Sequence, residues 1–208
     1  MPAELRPAAT VILLRDSAAG PEVWLMERAR TVGFMPSAWV FPGGRVDPAD
    51  ADLPVAGLPR SEIPRAFWAA AARELEEEAA VRLGWERYEV GGLVPWSRWQ
   101  TPEFEPRRYD TWFFAARLPE GAEARIDGGE AVDGVWITVA TDLERLAEGR
   151  LPLAPPTLRT LHEIGAFPSV AAILAAPRRL VPICPTFVTG PADTLFVLLP
   201  GDPEHPSP

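Results

Sequence analysis

The chain has no lysine. All 20 of its basic side chains are arginine, set against 29 aspartates and glutamates, for a formal charge of −9. That balance excludes binding nucleic acid through a broad basic face, because such binding needs many cations against phosphates. A small anionic ligand stays open, since a metal ion and a few arginines can reverse the field locally. Arginine also meets phosphate oxygens two at a time, which lysine cannot do. The single cysteine, Cys184, excludes an internal disulfide and suits a reducing, cytoplasmic setting. It stands in an apolar stretch, Val181-Pro182-Ile183-Cys184, and reads as packed rather than reactive. His162 and His205 are too isolated for a zinc site, and no Ser–His or Cys–His pattern suggests a nucleophile. No apolar run reaches membrane-spanning length, and the N-terminus lacks the charged start and apolar core of a secretory signal. With 208 residues, 47% of them hydrophobic, one globular domain with an extension is expected rather than two full domains.

What the chain does have is an acidic run, Arg73-Glu74-Leu75-Glu76-Glu77-Glu78. Ala66 to Val81 contains no Gly or Pro, so one helix of about four turns is expected there. Phe67, Ala71, Leu75 and Ala79 form an apolar stripe along it, flanked by Trp68 and Ala72. Glu74, Glu77 and Glu78 fall on another side at i, i+3 and i+4, beside Arg73. An acidic helix face is most often simply solvated. Three carboxylates within one turn also repel one another, and a hard divalent cation relieves that repulsion through oxygen ligands. The docked apolar stripe favours the second reading.

Arg73-Glu74-Leu75-Glu76-Glu77-Glu78-Ala79-Ala80-Val81 resembles the second half of the Nudix box, R-E-U-x-E-E-x-G-U with U aliphatic. Phe41-Pro42-Gly43-Gly44 resembles the strand end and loop that open the box. Three departures stand out. The closing Gly of the pattern is Ala80. The Glu that the box places eight residues before its Arg is Arg65. The gap from Gly44 to Arg73 is about fifteen residues longer than the family spacing, and the inserted stretch from Val46 to Asp52, rich in Asp and Pro, reads as a loop. A longer box opening Gly-Gly-x-x-Asp-Pro-x-Asp resembles the branch of Nudix hydrolases directed at coenzyme A and its esters, the peroxisomal mammalian type. Residues 28–36, Trp99-Gln100-Thr101-Pro102 and residues 107–114 resemble it too.

The resemblance implies an α/β/α sandwich with a mixed sheet, and a metal-dependent enzyme that hydrolyses a diphosphate bond. The substrate it implies is a nucleoside diphosphate linked to another group, with coenzyme A or acyl-coenzyme A leading. ADP-ribose, a dinucleoside polyphosphate or a dinucleotide cofactor are the alternatives, as is a non-catalytic nucleotide sensor on the same scaffold. Mg²⁺ or Mn²⁺ would be held by Glu74, Glu77, Glu78 and the carbonyl of Gly44. Glu74 would be the base, Glu77 a partner in catalysis, and Arg73 would orient a box glutamate. Glu130, or else Asp133, is the candidate for a further carboxylate ligand, with an ordinary turn as the competing reading. Asp47 and Asp50 could reach the metals or serve a turn. Arg28, Arg30 and Arg45 are candidate phosphate contacts or else surface charges. Trp99 and Trp96 could stack on a nucleobase or fill the core. Nudix-like domains often pair, so a homodimer is in view.

The pattern of elements agrees with an α/β order. Residues 8–15, 22–28, 39–41, 111–117 and 134–139 read as strands, and 88–96 mixes strand and glycine signals. A short helix over 142–148 with Thr141 as its cap would close a Nudix domain at residues 1–150. The extension, 151–208, carries helix-like patterns at 157–164 and 169–176. Extended segments at 179–188 and 194–199 suggest a hairpin, and Pro182 and Pro185 favour an edge position.

Overall fold

The computed structural model describes residues 2–31, 36–126, 129–139, 141–142, 152–189, 195–200 and 202. The expected helix over 142–148, the turn between the last two strands, His205, and Phe34 and Met35 lie wholly or mostly outside them.

In chain order the strands are β1 (Leu5–Ser17), β2 (Gly20–Arg28), β3 (Trp39–Val40) and β4 (Gly43–Arg45). A 3-10 turn (Pro48–Ala51), β5 (Val55–Ala56), helix α1 (Arg65–Ala79) and β6 (Tyr88–Glu89) follow. Then come β7 (Val94–Gln100), β8 (Arg108–Arg117) and β9 (Ala131–Thr138). The extension holds α2 (Pro155–Ile164), α3 (Val170–Ala175), β10 (Pro182–Ile183), β11 (Thr186–Thr189) and β12 (Leu195–Leu198).

One mixed sheet runs β10-β7-β8-β1-β2-β3, with β4 also on β1 and β9 also on β2. Its centre is the parallel pair β1–β8, in register from Leu5↔Arg108 to Leu14↔Arg117. Alternation along these strands feeds two cores. Val11, Leu13 and Phe114 pack with Trp68, Ala71 and Leu75 of α1. Ile12, Leu14 and Phe113 point the other way, into a cluster with Leu161 and Ile164 of α2 and Val170 and Ile173 of α3. Both faces of the sheet are therefore covered, which is why Val11–Leu14 and Val23–Met26 are buried without interruption. The architecture is the expected α/β/α sandwich, and the extension supplies its second helical layer.

Specific ties fasten that layer. Ser169 caps α3 by accepting from the Ala172 N–H at 3.2 Å. The Val170 N–H donates to Asp16 at 2.8 Å. Arg178 lies 3.7 Å over the Trp96 ring, donates to the Trp96 carbonyl at 3.1 Å and pairs with Glu163. β11 and β12 pair antiparallel, as the two strands of the expected hairpin would, and β10 takes the sheet edge against β7.

The inserted stretch is more structured than a loop. Pro48 fixes the first position of the 3-10 turn, and Asp50 accepts from the Asp47 N–H at 2.7 Å. β5 then pairs in parallel with β6. Arg65, where the box has its Glu, opens α1 and donates to the carbonyls of Ala51 and Leu53, tying the insertion to the helix start.

Candidate functional site

The free edge of β1 changes partner part-way along. Its C-terminal end, Leu14–Ser17, pairs with β2, while Ala8–Thr10 pairs with β4. At the changeover the Val11 N–H donates to the Pro42 carbonyl at 2.8 Å. The loop Phe41-Pro42-Gly43-Gly44 is thereby wedged against β1, and this explains both glycines. A Cβ on Gly43 would stand 2.5 Å from Thr10 Oγ1 and 2.6 Å from the Ala9 carbonyl. A Cβ on Gly44 would stand 2.5 Å from Glu74 Oε1. The second glycine leaves room for a carboxylate.

Helix α1 brings that carboxylate. Trp68, Ala71, Ala72, Leu75 and Ala79 are buried on its docked face, as the sequence pattern requires. The helix ends at Ala80, which replaces the family glycine yet still adopts the left-handed conformation (φ 53°, ψ 25°). Beside the docked face, Glu78 accepts from the Gly43 N–H at 2.7 Å. Burial pushes the Glu78 carboxyl up to about 7, against the pull of that hydrogen bond. Burial also raises Glu74, and Arg73 opposes the rise. Burial thus works against the charged form of both carboxylates on this one wall.

Arg73 uses all five of its N–H donors. Nε and Nη2 reach Asp50 at 2.7 and 3.0 Å, and Nη1 reaches Glu74 and Glu77 at 2.8 Å each. Nη2 also reaches the Arg45 carbonyl at 3.0 Å. Its hydrogen bonds to Asp50 hold the guanidinium well above its ordinary range. A side chain so saturated holds its neighbours and has no donor left for a substrate.

These groups line a cleft of about 570 Å³, together with Ala8, Thr10, Arg28, Arg45, Asp47, Tyr109, Thr111 and Glu130. Glu130 is exposed, 3.8 Å from Arg28, and its charge adds to the rise at Glu78. Asp133 lies off the cleft and accepts from the Gly134 N–H at 2.8 Å. Asp50 serves the turn and Arg73. Arg30 is exposed in the turn after β2 and lines neither this cleft nor its neighbour. Trp99 is buried with its N–H on Ser97 and lines the neighbouring cavity, while Trp96 is core. Among the described residues no three carboxylate, imidazole or thiol groups converge as a ligand set. Glu77, 57% exposed, is drawn to Arg73 and Glu78 to Gly43. The donors are all oxygen, which fits Mg²⁺ or Mn²⁺ rather than a softer ion, and the cradle at Gly44 fits close approach of backbone and carboxylate.

A NUDIX domain family model matches residues 4–155. The chain belongs to that family. It is similar to nudix hydrolase 7 of Caenorhabditis elegans, 25% identical over 228 residues, covering 95% of this chain and 73% of the relative. A crystal structure of a NUDIX hydrolase from Alicyclobacillus acidocaldarius superposes with a TM-score of 0.73 at 27% identity, covering 84% of this chain and 97% of that one. The NUDIX domain of Shewanella oneidensis NrtR, solved with ADP ribose, shares the fold at a TM-score of 0.53 and 15% identity, over 77% of this chain and 86% of that one. This Nudix hydrolase is accordingly a pyrophosphohydrolase that cleaves a diphosphate bond.

The sequence reading of this Nudix site missed Thr10, Tyr109 and Thr111, which line the cleft. The signal was there: Tyr109 and Thr111 are polar residues spaced by two at the start of β8, before Phe113 and Ala115 on the same face, and Thr10 likewise precedes Ile12 and Leu14 in β1.

Proposed function

We propose that the chain is a divalent-metal-dependent diphosphatase of nucleoside diphosphates joined to another group, with coenzyme A or an acyl-coenzyme A as substrate. The pairing of Glu74 and Glu78 in one oxygen-lined cleft, with Glu77 and the Gly44 backbone alongside, carries the metal part of this reading. Bound Mg²⁺ or Mn²⁺ would supply positive charge against the diphosphate and lower the pKa of an attacking water. Glu74, Glu77, Glu78, the Gly44 carbonyl and Glu130 are the proposed ligand set. Glu74, whose carboxyl burial raises, accepts the proton of that water. Arg73 positions Glu74 and Glu77, and Arg28 and Arg45 meet the substrate's phosphate oxygens from the cleft wall.

The coenzyme A assignment rests on the stretched box opening and its flanks, rather than on the glutamates. A panel of diphosphates incubated with Mg²⁺ or Mn²⁺ and read by product identity tests it. Release of 3′,5′-ADP together with a phosphopantetheine is the expected result. Cleavage of ADP-ribose or a dinucleoside polyphosphate, with coenzyme A left intact, would overturn the substrate. No turnover of any member would overturn the reading as a whole.

A further inference from the structure

Beside the acidic cleft lies a second cavity of about 490 Å³. The two share Thr10, Arg28, Gly43, Tyr109 and Thr111 as a common border. Their chemistry differs sharply. The second cavity has Phe41, Phe113 and Trp99 on the side of the sheet, and Pro155, Pro156 and Phe187 facing from the extension. Several of its hydrogen-bonding groups are already engaged. The Trp99 N–H donates to Ser97 at 3.2 Å, and Thr101 Oγ1 accepts from the Tyr109 N–H at 3.0 Å. The Gln100 amide leans on Asp110 at 3.4 Å. Arg28, Glu105 and Thr157 add polar groups to the lining, but the aromatic and proline walls predominate. An aliphatic group loses nothing on entering, whereas a nucleobase gives up water at its polar edge.

We propose that this cavity receives a mainly aliphatic arm attached directly to the diphosphate, so that the extension selects which ester is cleaved. The inference deepens the diphosphatase reading and rests on it, since the diphosphate must lie in the acidic cleft. In a coenzyme A substrate that arm is the pantetheine chain with any acyl group beyond it. The nucleoside then lies on the other side of the cleft, outside the apolar walls.

The test separates the pocket from the substrate's name. Calorimetric binding of n-alkyl diphosphates with four, eight and twelve carbons, in the presence of Mg²⁺, probes the cavity with no nucleoside present. Each methylene buried fully in an apolar site is worth about fourfold in affinity. Partial burial still predicts a rise of roughly tenfold or more from the shortest to the longest chain. Phe187→Asp should remove most of that gain. Pro156→Asp, at the first turn of α2 where an acidic residue is tolerated, should do the same through a second wall residue. A flat series, or a steep one unchanged in both variants, overturns the proposal. A steep series that both variants flatten supports it, even if coenzyme A and its esters prove not to be cleaved. Cleavage of coenzyme A with a flat alkyl series would overturn the pocket and leave the substrate reading intact.

Discussion

Asp50 and Arg73, 23 residues apart in sequence, meet through two hydrogen bonds of 2.7 and 3.0 Å, and Asp50 is 1% exposed. The carboxylate comes from the stretch that lengthens the box, and the arginine is the one that holds Glu74 and Glu77. The insertion is thus wired into α1, the helix that carries the proposed metal ligands. Asp50→Ala would leave a half-buried guanidinium with two donors unmatched. It should cost about 3 kcal/mol in urea unfolding, and lower kcat more than it changes KM, because Glu74 and Glu77 lose their support. Asp50→Asn keeps one acceptor but sets an NH2 against another donor, so it should recover only part of the lost stability while still lowering kcat. Equal loss in kcat and stability-corrected KM would argue against the positioning role.

Glu77 is mostly exposed and makes no contact that the core depends on. Glu77→Gln should leave unfolding free energy within about 0.5 kcal/mol of the parent. Turnover should nevertheless fall roughly 10²-fold or more. Near-normal kcat for this variant would remove Glu77 from the site.

Glu78 makes the metal-free protein sensitive to pH in an unusual direction. Its folded pKa, about 7, lies above the ordinary carboxylate value of 4.5. Folding therefore favours its protonated form, and the penalty for ionising it grows as pH rises from about 4.5 to 7 and then levels off. In EDTA, thermal stability should fall across that window, and Glu78→Gln should flatten the fall. Added Mg²⁺ should raise the midpoint more at pH 8 than at pH 6, since ligation requires the ionised carboxylate. A parent and variant with identical pH profiles in EDTA would refute this.

Ala80 holds a left-handed backbone that costs a residue with a Cβ about 1–2 kcal/mol. Ala80→Gly relieves that strain but returns some freedom to the unfolded chain. A net gain of about 1 kcal/mol in denaturant unfolding is expected, with kcat unchanged because Ala80 does not line the cleft. Loss of stability would place the helix end under some other constraint.

Much of the fold was legible because burial leaves its mark in the sequence. The docked stripe of α1 carried a helical period, the long strands β1, β2 and β8 stood out as unbroken apolar runs, and the box glutamates announced themselves by spacing. What stayed hidden was partnership. β5 and β6 have two residues each, too few to carry a period, so the insertion read as a loop. Nothing local in Asp47-Pro48-Ala49-Asp50 tells a turn aspartate from the counter-charge of a distant arginine. Likewise, Arg28 and Arg30 look alike on paper, yet only Arg28 lines the cleft, because β2 ends between them. The patterns at 157–164 and 169–176 revealed helices but not that they close the second face of the sheet.

The extension that forms that second layer also builds the apolar wall beside the cleft. On the proposed reading, the bond-breaking groups lie on α1 and the residues that select the ester lie in the last third of the sequence. Drift in the tail could retune which ester is accepted while the bond-breaking groups stay fixed, and a transplanted tail would be a way to redirect a relative without touching its glutamates.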